Sequence, residues 1–424
     1  MKTSKGLSRR DMLKLSGLAL GGLAVSGSAG RALASTPETV RKYVPVPVEQ
    51  VPPQGQMRIT FCGSWYTPRP NQACNSVFVE LGNENNDSFV FDCGMGVIAK
   101  YVALGVPYSR MDKIFLTHLH GDHMSDLVGI YCFGPALDRK TPLQVWGPSG
   151  DTKNEGTWFF CNKLLELCKW HRESFSFLPT GYAGDKQDGY DLVAHELRYM
   201  KNPGIAYNEN GVKISHFPAM HARDGAISFK LEWEGHSMVF TGDTKPTNYV
   251  IENAQGVDVL IHEITTHPGV WVTRETGLEQ GDANYNKVLA ANTEVIANSH
   301  TEQSAFGYIM SKTKPRLAVG THFPNDPDLI DSAKCDIRYH YPVGDVLIAQ
   351  DLLVITVDED GTISNYMADV PEYPWYHSFP LDPDKSLASS KYTGPLAQFN
   401  KELIANMIQP EEYAIPPGFC PEPP

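Results

Sequence analysis

The chain has 424 residues, of which 42% are hydrophobic and 20% charged, with 36 Lys and Arg against 49 Asp and Glu. That length can bury a large core, and the composition excludes a disordered, collagen-like or coiled-coil protein. A net charge of -13 at pH 7 argues against partners gripped by a broadly basic surface, such as nucleic acid or an anionic membrane.

At the N-terminus Lys2, Lys5, Arg9, Arg10 and Lys14 precede an apolar, glycine-rich run from Leu15 to about Val25, and Ala32-Leu33-Ala34 follows with the small residues of a cleavage site. That order is the order of an export signal. Ser8-Arg9-Arg10-Asp11-Met12-Leu13-Lys14 resembles the twin-arginine signal that exports folded proteins from the bacterial cytoplasm. Residues 1–34 are therefore expected to be a signal peptide read by that machinery, leaving a periplasmic or secreted protein. Without them the chain carries 30 Lys and Arg against 48 Asp and Glu, so the mature protein is more acidic still. The eight cysteines lack paired C-x-x-C spacing and do not form a zinc ribbon. Export permits disulfides, with Cys161–Cys168 or a tie to Cys420 among the pairings.

Residues 35–56 are proline-rich and are expected to form an extended lead-in. Met57–Phe61, Ser76–Leu81 and Ser88–Asp92 have the apolar, β-branched and aromatic character of strands. Lys113-Ile-Phe-Leu-Thr117 reads as a buried strand that runs straight into a histidine cluster, and residues from Asp126 to Phe133 begin a helix. Further strands are expected at 143–146, 211–216, 226–233, 236–241, 257–262, 317–321 and 352–356. Mixed strands with intervening helices imply an α/β protein of layered sheets covered outside by helices. The main domain is expected to span 57–357, interrupted by an insertion at about 150–210. Residues 358–424, rich in proline and aromatics, are expected to be a tail packed on it.

The chemistry concentrates in Thr117-His-Leu-His-Gly-Asp-His123. His118 and His120 alternate on an extended stretch and point to one side; Asp122 and His123 follow a glycine turn. Imidazole and carboxylate groups suit zinc and related metals, and four of them in six residues can serve two ions. More candidate ligands follow in order where strands meet loops: His221, Asp243 in Thr241-Gly-Asp-Thr244, and His322 in Gly320-Thr-His-Phe323.

This series resembles the metallo-β-lactamase superfamily from about Met57 to Asp326, and implies its αββα sandwich of two mixed sheets flanked by helices. The resemblance implies that His118, His120 and His221 hold one metal, that Asp122, His123 and His322 hold another, and that Asp243 bridges them. Within the superfamily, Phe61–Ser76, Phe91-Asp-Cys-Gly-Met-Gly96, Ile261-His-Glu-Ile-Thr265 and Ser299-His300-Thr301 resemble the ribonuclease Z and metal-dependent arylsulfatase branch. That branch implies a proton donor made of Glu263 and His300, which join Asp122 as the expected catalytic residues. It also implies a homodimer.

The expected cofactors are two divalent ions, zinc first, with manganese or iron as alternatives. Two cations about 3.5–4 Å apart generate a bridging hydroxide from water and polarise a phosphoryl, sulfuryl or acyl centre. The expected activity is hydrolysis of a small phosphodiester or an aryl or alkyl sulfate. A lactonase or β-lactamase using the same metals is the alternative within the fold, and a non-catalytic metal- or ligand-binding protein is the alternative of another class. Two departures from the ribonuclease pattern, Ala226 after Gly225 where that pattern has tyrosine and a stretch at 150–210 without basic excess, imply a small-molecule ester and no nucleic acid.

Overall fold

The first three strands, β1 (Met57–Gly63), β2 (Ser76–Leu81) and β3 (Ser88–Phe91), are buried along almost their whole length, as strands are when both sheet faces are covered. β4 (Lys113–Phe115), β5 (Leu143–Pro148) and β6 (Leu192–Leu197) continue the same sheet on one side. A second sheet is built from β7 (Gly204–Glu209), β8 (Val212–Pro218), β9 (Ile227–Trp233), β10 (His236–Phe240), β11 (Val259–Glu263), β12 (Leu317–Thr321) and β13 (Val346–Ile348). The chain then returns to the first sheet with β14 (Leu353–Val357) and β15 (Ile363–Met367). The computed structural model describes residues 51–175 and 189–371 with positions 374 and 401, all within the compact unit 45–415.

The first sheet runs β15-β14-β1-β2-β3-β4-β5-β6 and the second β13-β12-β11-β10-β9-β8-β7. Strand β3 to β6 pairing is parallel, as is β10 to β13, while the remaining pairs are antiparallel. Alternation of side chains along the strands separates three layers of core. Phe89, Phe91 and Phe115 of the first sheet meet Phe229, Phe240, Ile261 and Val319 of the second between the sheets. The intervening Val90, Ile114 and Leu116 point outward instead, onto Val97, Tyr101, Leu127 and Ile130 of the covering helices. Likewise Leu260 and Ala318 face Phe306, Ile309 and Ile337 on the far side of the second sheet. This is the αββα sandwich, an α/β fold, and each buried aromatic ring contributes about 1.5–3 kcal/mol by leaving water.

The outer layers are the helices Val97–Leu104, Leu127–Leu137 and Thr157–Leu167 over the first sheet, and Asn248–Asn253, Gln303–Thr313 and Pro327–His340 over the second. Thr247 caps the short helix after β10 by accepting the Val250 N–H. The helix Pro327–His340 opens on Pro327 with Asp328 in its first turn and closes with Arg338 and His340, complementing its dipole.

Two boundaries differ from the sequence reading. Residues 192–209 are not insertion: β6 edges the first sheet beside β5 and β7 edges the second beside β8. These edge strands are largely part-exposed and mix polar with apolar residues, so they lack the continuous buried apolar run by which the central strands are recognised. Past 357, β15 pairs in register with β14, so the first sheet extends to Met367. The signal peptide, most of the lead-in, residues 176–188 and most of the C-terminal tail lie outside the described residues, as does Cys420. Cys161 and Cys168 are free buried thiols. Among the described residues no helix is long and apolar enough to cross a membrane.

Candidate metal centre

Parallel strands end on the same side, so β4, β10, β11 and β12 deliver Thr117–His118, Asp243, Glu263 and His322 to one edge of the sandwich. β8 runs the same way, two antiparallel steps from β10, and leads to His221. The close approach of the loops after β4 and β10 depends on Gly242, which has φ +57° and whose added Cβ would lie 2.5 Å from the Thr117 side chain.

Nine side chains gather there: His118, His120, Asp122, His123, His221, Asp243, Glu263, His300 and His322. Donor atoms of His118, His120 and His221 lie within 4.8 Å of one another, and so do those of Asp122, His123, Asp243 and His322. Asp243 stands between the groups, 3.2 Å from Nε2 of His123, 3.2 Å from Nε2 of His322 and 3.6 Å from Nε2 of His221. His221 Nε2 and His120 Nδ1 are 3.0 Å apart, and His322 Nε2 is 3.2 Å from Asp122 Oδ2. Donors on a common ion, each about 2.0–2.1 Å from it, have this spacing.

The outer nitrogens of two of these rings, His221 and His123, are held by the chain. His221 donates Nδ1–H to the carbonyl of Ser299 at 2.7 Å, leaving Nε2 to the centre. His123 donates Nδ1–H to Asp92 Oδ2 at 2.7 Å, and Asp92 also accepts the N–H and hydroxyl of Thr117, each at 2.8 Å. A buried carboxylate behind a histidine fixes its tautomer and turns its other nitrogen inward. Asp92 and His322 both have positive φ, +56° and +63°, an uncommon conformation for residues with a side chain.

A metal fits this arrangement on two observations. His118 Nε2 is buried and has no hydrogen-bond partner, an arrangement that costs free energy unless a ligand takes it up. Burial, reinforced by His123 and the neighbouring imidazoles, also drives the His118 pKa well below its ordinary value, and burial with His221 lowers that of His120. Neutral imidazole is the form that binds metal.

Glu263 and His300 sit against both groups. Burial lowers the His300 pKa, but the Glu263 carboxylate, its hydrogen bond, and Asp243 and Asp122 outweigh that and push it up to about 9. The His300 ring is 4.9 Å from that of His221 and 5.4 Å from that of His322. Two cavities lie near the cluster. One, of about 470 Å3, is lined by His118, His120, His221, Phe159, Phe160 and Arg223. The other, of about 590 Å3, has Trp65, Tyr66 and Trp271 in its wall.

Sequence reading passes over Asp92, although it stands in the Phe91-Asp-Cys-Gly-Met-Gly96 segment and a carboxylate at a strand end was a usable signal. It also passes over Trp65, Tyr66 and Trp271, whose rings come from segments about 200 residues apart and have no common motif.

An αββα sandwich with two adjoining sets of His and Asp donors at the ends of its strands defines a metal-dependent hydrolase acting on ester bonds. The chain belongs to the β-lactamase superfamily: residues 88–323 match the family described as the beta-lactamase superfamily domain. Its relatives include ribonuclease BN of Proteus mirabilis, 26% identical over 235 residues that cover 49% of this chain and 77% of that protein. Ribonuclease Z of Thermoplasma acidophilum is 28% identical over 233 residues, covering 48% of this chain and 71% of that protein. Among solved structures, the short form of human tRNase Z matches with 20% identity and a TM-score of 0.48, over 70% of this chain and 98% of that one.

These relatives overturn the expectation that nucleic acid is no partner, since they are ribonucleases. The charge argument failed because net charge describes the whole surface, whereas divalent cations, if held by this cluster, would attract a phosphate locally whatever the sign of the rest.

Proposed function

We propose that the chain is a metal-dependent phosphodiesterase acting on a nucleotide-containing diester. The observation that carries this reading is the Glu263–His300 pair, 2.9 Å apart and in contact with both donor groups. Hydrolysis of a diester expels an alkoxide, a poor leaving group that needs a proton. The ribonuclease relatives support the phosphodiester over other esters.

His118, His120 and His221 would hold one divalent ion, Asp122, His123 and His322 the second, and Asp243 both. When bound, such ions, zinc foremost, polarise the phosphoryl oxygens and acidify water. The chain's own residues do the rest. His300 gives its Nδ1–H to Glu263 and keeps its second proton on Nε2 for the departing oxygen. Glu263 is itself fixed by accepting the Thr244 N–H at 2.6 Å, one residue from Asp243. Donor and bridging carboxylate are therefore set by one turn of chain.

Export by the twin-arginine route belongs to the same proposal and rests on the order of basic, apolar and small residues in 1–34. The test is hydrolysis by protein loaded with zinc or manganese. We expect turnover of bis(4-nitrophenyl) phosphate and of a short RNA, exceeding that of 4-nitrophenyl sulfate or a lactam, and its loss in His120→Ala. A protein that cleaved the sulfate or lactam but neither diester would overturn the reading.

A further inference from the structure

His322 has a backbone φ of +63°, which a residue with a side chain keeps only where the chain around it is held. Before it, Thr321 is fixed at the end of β12, its carbonyl accepting the Ile264 N–H at 2.9 Å. After it, both backbone groups of Phe323 are taken. Phe323 donates its N–H to the Ser64 carbonyl at 3.0 Å, and its own carbonyl accepts from Nε2 of Gln72 at 2.7 Å. Gln72 holds Asn325 as well: Oε1 accepts the Asn325 N–H at 3.2 Å, and Nε2 donates to Asn325 Oδ1 at 3.1 Å.

The Gln72 side chain is fully buried, and it is braced in turn. Its Nε2 lies 3.0 Å from Oγ of Ser64, which donates to Asp351 Oδ1 at 2.9 Å. The other oxygen of Asp351 accepts the Ala73 N–H at 2.7 Å and pairs with Lys100 at 3.1 Å. Arg69 donates to Gln72 Oε1 at 2.7 Å. A buried amide with its donors and acceptors engaged locks two loops together, because separating them leaves those groups unpaired away from water. Here the loops are 251 residues apart in the chain, and one of them carries a candidate metal ligand.

The hold is also one-sided. The segment that carries Gln72 reaches the second donor group again at Asn75, which donates its N–H to the Asp122 carbonyl at 3.1 Å. None of these bonds involves His118, His120 or His221, the last of which is held by the Ser299 carbonyl.

We propose that Gln72 is a positioning residue for His322. By fixing Phe323 it keeps Nε2 of His322 at 3.2 Å from both Asp122 Oδ2 and Asp243 Oδ2, and so governs the affinity of one metal ion of the pair and not of the other. The inference rests on the assignment of ions to donor groups given above.

The experiment strips zinc from the loaded full-length protein with a chromophoric chelator, for the wild type, Gln72→Met, His322→Ala and the double variant. Methionine keeps the bulk of glutamine and removes the amide. We expect the wild type to give up two ions, and Gln72→Met to weaken one of them by about ten-fold and the other by less than about two-fold. Where His322 is already alanine, Gln72→Met has no further effect on either ion, a coupling that general loosening of the fold does not produce. Equal weakening of both ions, or the same loss with and without His322, overturns the proposal. Should Gln72→Met not fold, Ser64→Ala removes only the hydroxyl that braces Gln72, and it should give the same one-sided pattern at about three-fold. A wild type holding fewer than two ions overturns the assignment of ions by itself. Hydrogen exchange at the Phe323 and Asn325 amides then decides the role of Gln72, since exchange unchanged by Gln72→Met leaves it no hold on His322.

Discussion

Nδ1 of His300 lies 2.9 Å from Oε2 of Glu263 and 3.2 Å from Oε1, and the same carboxylate accepts the Thr244 N–H. The imidazole is thereby oriented and its charged form stabilised at the edge of the cluster. Its pKa of about 9 means that the acid form is present at neutral pH and disappears as pH rises through that value. Bound cations repel the proton and lower the figure, so the alkaline limb of kcat is expected at or below about 9 for substrates with poor leaving groups. Glu263→Gln moves that limb down toward the ordinary histidine range near 6.5. His300→Ala slows alkyl diesters by roughly 10²–10⁴-fold and nitrophenyl diesters far less. An alkaline limb unmoved by Glu263→Gln, or equal losses on both substrates, would remove the pair from proton donation.

Asp92 is expected to set metal affinity without touching the metal. It is fully buried, and its Oδ2 holds Nδ1 of His123 while also anchoring Thr117 next to His118. Asp92→Asn keeps the shape but loses the charge behind His123, and should weaken metal binding by about 10–100-fold. Competition against a chromophoric chelator measures this, and an unchanged affinity would sink the idea.

His216 is expected to make stability fall in mild acid. Its ring is buried in β8 against Gly204, where an added Cβ would stand 2.0 Å from Nε2. Burial, with Lys201 nearby, lowers its pKa to about 4. The folded pKa lies below the unfolded value near 6.5, so the unfolded chain takes up the proton first as pH falls. Full stability is therefore present above pH 6.5, and about 3 kcal/mol is lost between 6.5 and 4. Urea unfolding of the wild type and of His216→Phe across that range checks it: the variant should lose this part of the slope.

Much of the centre was legible because its ligands cluster in sequence or end apolar strands. Four donors fall within His118–His123, and Asp243 and His322 follow strands buried along almost their whole length. The edge strands β6 and β7 were not legible, because half-exposed strands lack a continuous apolar pattern. The bulk charge of -13 misled about nucleic acid, since the field at a site is set by the few groups around it.

The sequence by itself determined the α/β sandwich, through strands whose alternate residues had to be buried on two faces, and the identity of the His and Asp donors, through chemistry carried by residue type. Only the tertiary structure decided which atoms of those donors face one another and that Asp92 stands behind His123. It also decided that Trp65, Tyr66 and Trp271 share a wall beside His300. Those relationships join residues more than 200 positions apart, and such contacts follow from how the two sheets stack and where their parallel strands end, which no local pattern records.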